Sequence, residues 1–260
     1  MRGRRRLYIV PYGMLHYLPF HLLRANGRYL IEDYEVVILP SAGLLTRSAP
    51  VRNSGAHIVA HSANGLLPQV LAEAEIVESL FSGDVLQEEA AIRGAFEAPP
   101  TQILHVAAHA AFRLDQPDLS YIELADGQLY ADDLMQQDLS YELVTLSACE
   151  TGRAHVAPRD ELIGLGRGFL YAGAGALIAS LWRVADDIAL PLMRSMYEAL
   201  RAGASKAAAL RSAQCAILAA DPDLHPAYWG AFQLTGDAGP LSSPRRDIRG
   251  GTLREEVVAR

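Results

Sequence analysis

The sequence is poor in cysteine, in long apolar runs and in positive charge. Among its 260 residues there are only two cysteines, Cys149 and Cys215, which are too few for a disulfide framework. No apolar run reaches the roughly 18 residues that a membrane-spanning helix needs. The net charge of −7 gives no electrostatic reason to expect nucleic-acid binding. We therefore expect a globular, cytoplasmic protein that binds neither nucleic acid nor a membrane.

Several catalytic signatures are also missing. The sequence has no Gly-x-Ser-x-Gly elbow, no P-loop and no dinucleotide-binding fingerprint, so serine hydrolases and nucleotide enzymes lack their motifs here. His105 and His109 have the spacing His-x-x-x-His, but the surrounding residues are typical of a strand, which would hold the two rings about 13 Å apart. No Glu follows His105, as a zinc-protease motif would require. We predict no metal site and no cofactor, and His105 is interpreted as a core residue.

Apolar runs and amphipathic segments alternate along the chain. This alternation predicts an α/β fold with a mostly parallel central sheet flanked by helices. The predicted strands cover 7–10, 29–31, 34–40, 56–61, 84–86, 102–110, 121–124, 128–130, 142–148, 176–182 and 228–235. The predicted helices cover 41–48, 71–81, 88–96, 131–136, 161–172, 188–202 and 206–220. Three glycines inside the 161–172 helix (Gly164, Gly166, Gly168) indicate that it packs very closely against its neighbours, because each glycine costs helix stability.

Two of the predicted strands end in chemically active side chains. Cys149 follows the 142–148 strand, and His109 lies at the end of the 102–110 strand. If these strands are neighbours in a parallel sheet, about 4.8 Å apart, the two side chains converge at the edge where α/β proteins bind ligands. A thiol and an imidazole there form a nucleophile and its general base. A buried, inert cysteine is the alternative interpretation of Cys149.

The other candidates for this chemistry have weaker support. His155 is a surface loop residue or a rival general base, and we favour the surface because a loop holds an imidazole poorly. Cys215 lies among Ala, Ile and Leu in a predicted helix and is interpreted as a packing residue.

Four runs of the sequence (103–109, 146–152, 164–174 and 179–182) resemble the CHAT domain, a caspase-like domain often found after tetratricopeptide repeats in bacterial proteins. The resemblance extends from Val10 to Asp237, and the Ser-Ala-Cys-Glu-Thr-Gly run at 147–152 is its most specific part. It implies the three-layer α/β sandwich of caspases, separases and gingipains. It also implies a cysteine endopeptidase with His109 as general base and Cys149 as nucleophile. The backbone N–H groups of Cys149 and Ala110 would form the oxyanion hole.

The resemblance also implies partners: a protein or peptide substrate, and a regulatory protein such as a repeat-containing sensor, in bacterial signalling or defence. The sequence departs from the family at Ala110, where glycine is usual; alanine keeps the N–H donor if its φ is negative. No repeat domain precedes Leu7, which indicates either a fragment or a sensor on another chain. We predict a domain over residues 1–237 and a flexible tail over 238–260.

Specificity and activity leave alternatives open. Glu150, Asp186 and Asp187 are candidates for binding a basic substrate side chain, although the aspartates also suit helix capping and Glu150 suits a polar turn. The alternative function is a catalytically inactive caspase-like interaction module that serves as a scaffold. A metal-dependent hydrolase is a distant third.

Overall fold

The computed structural model describes residues 6–46, 50–67, 69–111, 116–148, 164–182, 184 and 186–242. The strands in this part of the chain are β1 (Arg6–Ile9), β2 (Arg24–Ala25), β3 (Arg28–Tyr29), β4 (Glu35–Ile38), β5 (Ala56–Ala60), β6 (Gly83–Gln87), β7 (Ile103–Ala108), β8 (Ala110–Ala111), β9 (Tyr121–Leu124), β10 (Gly127–Tyr130), β11 (Leu143–Ala148), β12 (Ala176–Ser180) and β13 (Phe232–Gly236). The α-helices are α1 (Leu30–Asp33), α2 (Gln69–Leu80), α3 (Ala131–Leu134), α4 (Gly164–Tyr171), α5 (Asp186–Arg201), α6 (Lys206–Ala220) and α7 (Pro226–Trp229). None of the described helices combines the length and the hydropathy that crossing a bilayer requires.

The described residues form one central sheet of eight strands in the order β1-β4-β13-β12-β11-β7-β5-β6. The five strands from β12 to β6 are parallel to one another, and so are β13, β4 and β1. The two blocks meet at β12 and β13, which pair antiparallel. The prediction of a mostly parallel sheet is therefore confirmed.

Helices cover both faces of the central sheet. Residues along β7 alternate between two apolar clusters, because successive side chains of a strand point to opposite faces. Ile103 and Ala107 join the cluster with α2, α5 and α6. Leu104, Val106 and Ala108 join the cluster with α3, α4 and the small antiparallel sheet β8-β9-β10. The result is the predicted three-layer sandwich.

The glycines of α4 permit the close packing that the sequence predicts. A Cβ at Gly164 would overlap the Pro117 carbonyl oxygen, and a Cβ at Gly168 would lie 3.0 Å from the Ala131 carbonyl oxygen and 3.3 Å from Leu134 Cβ. Because the nearest atom to that Cβ is a backbone oxygen, a larger residue at Gly164 would have to displace backbone. These two glycines let α4 lie directly against α3 and the turn before β9.

Most predicted strands are confirmed within one or two residues, among them β5, β7 and β11. Ala125 and Asp126 form the turn between β9 and β10, and Gly127 begins β10, so the hairpin that Asp126-Gly127 predicts is confirmed. Ser205 caps α6, because its Oγ accepts a hydrogen bond from the Ala208 N–H at 3.2 Å.

Four predicted segments were wrong in type. The 88–96 segment forms two 3₁₀ turns instead of a helix, and Glu88 has a φ of +49°, which a continuous α-helix does not allow. The described part of the 41–48 segment forms a 3₁₀ turn, Ala42–Thr46. Residues 30 and 31 belong to α1, whose first turn is closed by the bond from Tyr29 N–H to Glu32 Oε2 at 2.6 Å. Residues 228 and 229 belong to α7, which starts with a proline at its first position.

The chain continues to pack after β13. Ala238 is buried, and Lys206 Nζ lies 2.8 Å from Asp237 Oδ2 and donates to Gly239 O at 3.2 Å. Ser242 N–H donates to Glu142 Oε2 at 2.7 Å. The predicted tail, residues 238–260, therefore begins with a packed stretch up to Ser242, and its remainder lies outside the described residues.

Candidate active site

The strands that carry the predicted dyad are neighbours. β7 and β11 pair in parallel along their whole length, with His105 opposite Thr145 and Ala108 opposite Ala148. His109 is the residue after β7, and Cys149 follows Ala148 in the sequence. Cys149 itself lies outside the described residues, as do Glu150 and His155. The structure thus supports the pairing of the two strands, up to the last residue before each member of the dyad.

His109 is mostly covered by its surroundings. Its side chain is 13% exposed, and its Nε2 lies 4.0 Å from Oε2 of Glu123, whose side chain is 42% exposed. The main chains of the two residues are also joined, because Glu123 N–H donates to His109 O at 2.8 Å. The small sheet β8-β9-β10 therefore fixes the backbone of His109 and brings a carboxylate next to its ring.

The backbone of Ala110 suits the donor role that the sequence predicts. In the ladder between β8 and β9, Ala110 is opposite Ile122, while the hydrogen bond runs from Glu123 N–H to His109 O. Ala110 and Ile122 thus form a non-hydrogen-bonded pair, and the ladder does not use the N–H of Ala110. Its φ is not in the positive range, so alanine in place of glycine introduces no backbone strain.

A cluster of buried polar side chains lies below the ends of β7 and β11, on the face covered by α2 and α5. We call Glu73, His105, Ser147 and Tyr197 the polar cluster. Ser147 Oγ donates to Glu73 Oε2 at 2.9 Å, and His105 Nδ1 lies 2.9 Å from the Tyr197 hydroxyl. His105 Nε2 is 3.4 Å from Glu73 Oε1. One glutamate from α2 therefore contacts both strands that lead into the predicted dyad.

Burial decides the protonation of two members of this cluster, His105 and Tyr197. It lowers the pKa of His105 to about 3 and raises the pKa of Tyr197 above its usual range. His105 is thus neutral and Tyr197 protonated near neutral pH. The Glu73 carboxylate oxygen near Nε2 favours the tautomer that carries its proton on Nε2, and in that tautomer the Tyr197 O–H donates to Nδ1. The prediction that His105 is a core residue of the strand is confirmed: it is fully buried.

The other predicted site residues are less defined. α5 begins at Asp186, so Asp186 and Asp187 occupy its first turn, after β12 has ended at the same edge of the sheet as β7 and β11. The side chains of these aspartates are not among those described. Cys215 lies half-buried on α6, where burial raises the pKa of its thiol, as expected for a packing residue.

The sequence reasoning missed Glu123, Glu73 and Tyr197. Glu73 carried a usable signal: it lies on the same side of α2 as the buried Val70, Ile76 and Val77, at the i−3, i+3 and i+4 spacings. A carboxylate on the apolar side of a helix calls for a buried partner. Glu123 gave no such signal, because its distance to His109 depends on how β9 folds back onto β8.

Comparisons with known proteins agree with this architecture. The sequence model of the CHAT domain family matches residues 1–237. Tetratricopeptide repeat protein 28 of Mus musculus is 25% identical over 303 aligned positions that cover 92% of this chain, and its Homo sapiens counterpart is 24% identical. This chain spans only 12% of the length of either relative.

Two solved structures of low sequence identity share the fold. The Arg-specific cysteine proteinase gingipain R is 12% identical, with a TM-score of 0.50 over 73% of this chain and 47% of its own. Separase in the Saccharomyces cerevisiae separase-securin complex is 14% identical, with a TM-score of 0.56 over 85% of this chain and 14% of its own. The chain has the fold of the caspase-like cysteine peptidases, and it belongs to the CHAT domain family.

Proposed function

We propose that this chain is a cysteine endopeptidase that cleaves a protein substrate, with Cys149 as nucleophile and His109 as general base. The observation that supports it most is the register of β7 and β11. Ala108 and Ala148 are direct partners, and each is followed in the sequence by one member of the dyad. Neighbouring strands lie about 4.8 Å apart and consecutive Cα atoms about 3.8 Å, so the two residues start from adjacent backbone positions.

The chemistry would proceed in two stages. The thiol of Cys149 gives its proton to His109, and the thiolate attacks the carbonyl carbon of the scissile peptide bond. The resulting oxyanion accepts hydrogen bonds from the backbone N–H groups of Ala110 and Cys149. The C–N bond breaks, His109 returns its proton to the leaving amine, and a thioester remains. Water, deprotonated by His109, then hydrolyses the thioester and restores the thiol.

The proposal extends to specificity and biological role. Glu150, Asp186 and Asp187 are the proposed acidic groups for a basic substrate side chain, and a cleavage profile with arginine, lysine and neutral residues at that position tests them.

We place the activity in the cytoplasm, where a thiol nucleophile stays reduced. Regulation by a repeat-containing protein partner, in bacterial signalling or defence, fits the family and the tetratricopeptide-repeat relatives.

The test is cleavage of a peptide library together with labelling by a thiol-directed peptidyl probe. Replacing Cys149 by Ala should abolish both signals. His109→Ala should reduce kcat/KM by about 10²–10⁴-fold, the usual contribution of a general base. Two matched controls, Cys215→Ser and His225→Asn, change a half-buried thiol and an exposed helix-capping imidazole and should keep full activity.

A second candidate function is a catalytically inactive module that binds other proteins. It is favoured by the relatives, in which this region is 12% of a tetratricopeptide repeat protein. The same labelling experiment separates the two functions. Slow and equal labelling of the unaltered chain and His109→Ala, without cleavage of any library peptide, would support the binding module and contradict the peptidase.

A further inference from the structure

A cavity of about 310 Å³ lies between α4 and the block formed by β13 and β4, and none of its lining residues belongs to β7 or β11. We call it the β13 cavity. Its lining residues are His16, Ile38, Pro40, Arg167, Leu170, Gln233 and Thr235. The volume is at the lower end of the range of about 300–1,000 Å³ that is usual for small-molecule pockets.

The floor of the β13 cavity carries two polar side chains from the same strand. Phe232 and Leu234 of β13 belong to the apolar cluster with α5 and α6, so Gln233 and Thr235 face the opposite side, toward α4. Their cross-strand partners Ala179 and Leu177 belong to the α4-side cluster, which agrees with this direction. β13 therefore presents an amide and a hydroxyl in a row under α4.

Both of these side chains are buried without a hydrogen-bond partner. Gln233 is 4% exposed and Thr235 is 3% exposed, and neither Gln233 Oε1 nor Thr235 Oγ1 has a partner among the described residues. Leaving buried polar atoms unpaired costs stability, and native proteins retain such atoms at few positions. Valine and methionine would fill the same space without that cost. Two unpaired polar groups side by side on a cavity floor indicate a ligand that pairs with them.

The charge of the cavity narrows the ligand class. Arg167 lines the cavity from α4 and forms no hydrogen bond or ion pair with any described group. A guanidinium presents a planar fork of donors that matches a carboxylate in two parallel hydrogen bonds. Arg167 is the one lining residue that is always positively charged. A single positive charge can neutralise a monoanion, whereas a polyanion such as a nucleotide would keep negative charge without a partner. Ile38, Pro40 and Leu170 provide apolar contacts for the rest of the ligand.

From this geometry we propose that the β13 cavity binds a small organic monocarboxylate with an apolar body. The carboxylate pairs with Arg167 and accepts a hydrogen bond from the Thr235 Oγ1–H. With the Gln233 amide rotated about its last side-chain torsion, its N–H₂ replaces the unpaired Oε1 and also donates to the carboxylate. Such a ligand joins α4 to β13 and stabilises the fold. The lining contains no residue of the proposed dyad, and the proposal does not depend on catalysis.

The test measures thermal unfolding and binding isotherms of the full chain with two matched pairs of probes: benzoate with benzamide, and isovalerate with isovaleramide. A carboxylate at ten times its Kd should raise Tm by about 3–6 °C. The amide of the same shape should bind at least about tenfold more weakly, because it lacks the charge-assisted bonds. Equal binding of acid and amide, or no binding of either acid up to millimolar concentrations, would overturn the proposal.

Variants connect the binding to the named residues. Arg167→Gln should weaken carboxylate binding by at least about tenfold, whereas Arg194→Gln, which alters an exposed arginine of α5, should leave it unchanged. If Arg167→Gln does not fold, Arg167→Lys keeps the charge without the fork and should show a smaller loss. Unaltered affinity in both Arg167 variants contradicts the assignment.

Thr235→Val provides a test with two opposite readouts. It removes an unpaired hydroxyl, so Tm of the ligand-free chain should rise by a few degrees, while carboxylate affinity should fall. A fall in the Tm of the ligand-free chain would show that the hydroxyl supports the fold itself. That result would contradict the role of Thr235 as a ligand contact.

Discussion

Two histidines of one strand segment each lie beside a glutamate, and the two pairs differ in burial. His105 and Glu73 are 3.4 Å apart, with 0% and 6% of their side chains exposed. His109 and Glu123 are 4.0 Å apart, with 13% and 42% exposed. The same residue types four positions apart therefore occupy environments that differ in burial.

Burial removes His105 from acid-base chemistry. The ring is held neutral between Tyr197 and Glu73, and the cluster connects α2 and α5 to the strands that precede the dyad. His109 lies at the sheet edge, where 13% of its side chain remains exposed. The buried pair connects α2 to the two strands that precede the dyad, whereas the less buried pair lies where the proposed mechanism needs its general base.

Acid should affect the buried pair most strongly. The folded protein keeps His105 neutral down to about pH 3 and His21, buried against Gly230 O, neutral down to about pH 4. The unfolded chain protonates both near pH 6.5, so it binds more protons in between, and stability falls as pH falls. Each histidine should contribute about 1.4 kcal/mol per pH unit over its window. Urea unfolding at a series of pH values measures this slope.

A matched pair of variants tests whether His105 causes this dependence of the unfolding free energy on pH. His105→Asn removes one titrating group and should flatten the dependence of the unfolding free energy on pH, in addition to lowering stability at neutral pH. His225→Asn alters an exposed histidine and should keep the original slope. A His105→Asn protein with an unchanged slope would mean that His105 is not the group that acid protonates.

Loss of the Tyr197 hydroxyl should have the next largest effect, this time on the unfolding free energy at neutral pH. Tyr197→Phe keeps the ring packed against His105 but leaves Nδ1 without its donor. An unpaired buried acceptor costs about 1–3 kcal/mol, which denaturant titration at neutral pH can resolve. Tyr228→Phe, at an exposed tyrosine, is the control and should change stability by less than about 0.5 kcal/mol. An equal, small effect of both changes would contradict the importance of the buried bond.

The predictable parts of the fold are those that local patterns determine. β5 and β11 are mostly apolar runs, β7 is apolar except for His105, and Asp126-Gly127 marks the hairpin between β9 and β10, where Gly127 has a positive φ, so each was found from sequence. The 88–96 segment has a helical composition, yet Glu88 takes a left-handed conformation, with its carboxylate accepting the Ser62 N–H at 3.3 Å. A tertiary contact overrides local preference there.

The candidate site also combines features that local sequence determines with features that only tertiary packing determines. The positions of His109 and Cys149 after two strands followed from the sequence, since strand ends can be read locally. Glu73 and Tyr197 meet His105 from 32 and 92 positions away, and only the packing of α2 and α5 brings them together. Partners of this kind depend on the order of strands and helices around the sheet, which periodicity does not encode.

Replacing Glu73 by Gln should have a moderate effect. The amide oxygen can accept from His105 Nε2–H, while the amide N–H₂ must donate to Ser147 Oγ, which reverses that bond. Because the charge is lost but both contacts remain possible, we expect a loss of about 0.5–1.5 kcal/mol in unfolding free energy. Glu73→Ala, which removes both contacts, should lose more. A Glu73→Gln protein less stable than Glu73→Ala would show that the carboxylate charge itself is needed.

Replacing Glu123 by Gln should have the smallest effect, and on a different quantity. Its carboxylate is partly exposed at 4.0 Å from His109, so water and salt screen the attraction to a protonated ring. The unfolding free energy should stay within about 0.5 kcal/mol of the original. Under the proposed mechanism kcat/KM should fall by less than about fivefold, since the pair contributes under about 1 kcal/mol. That loss should shrink further in high salt. A larger, salt-independent loss would mean that Glu123 bonds directly to the imidazole during the reaction, and the exposed pair would then resemble the buried one in strength.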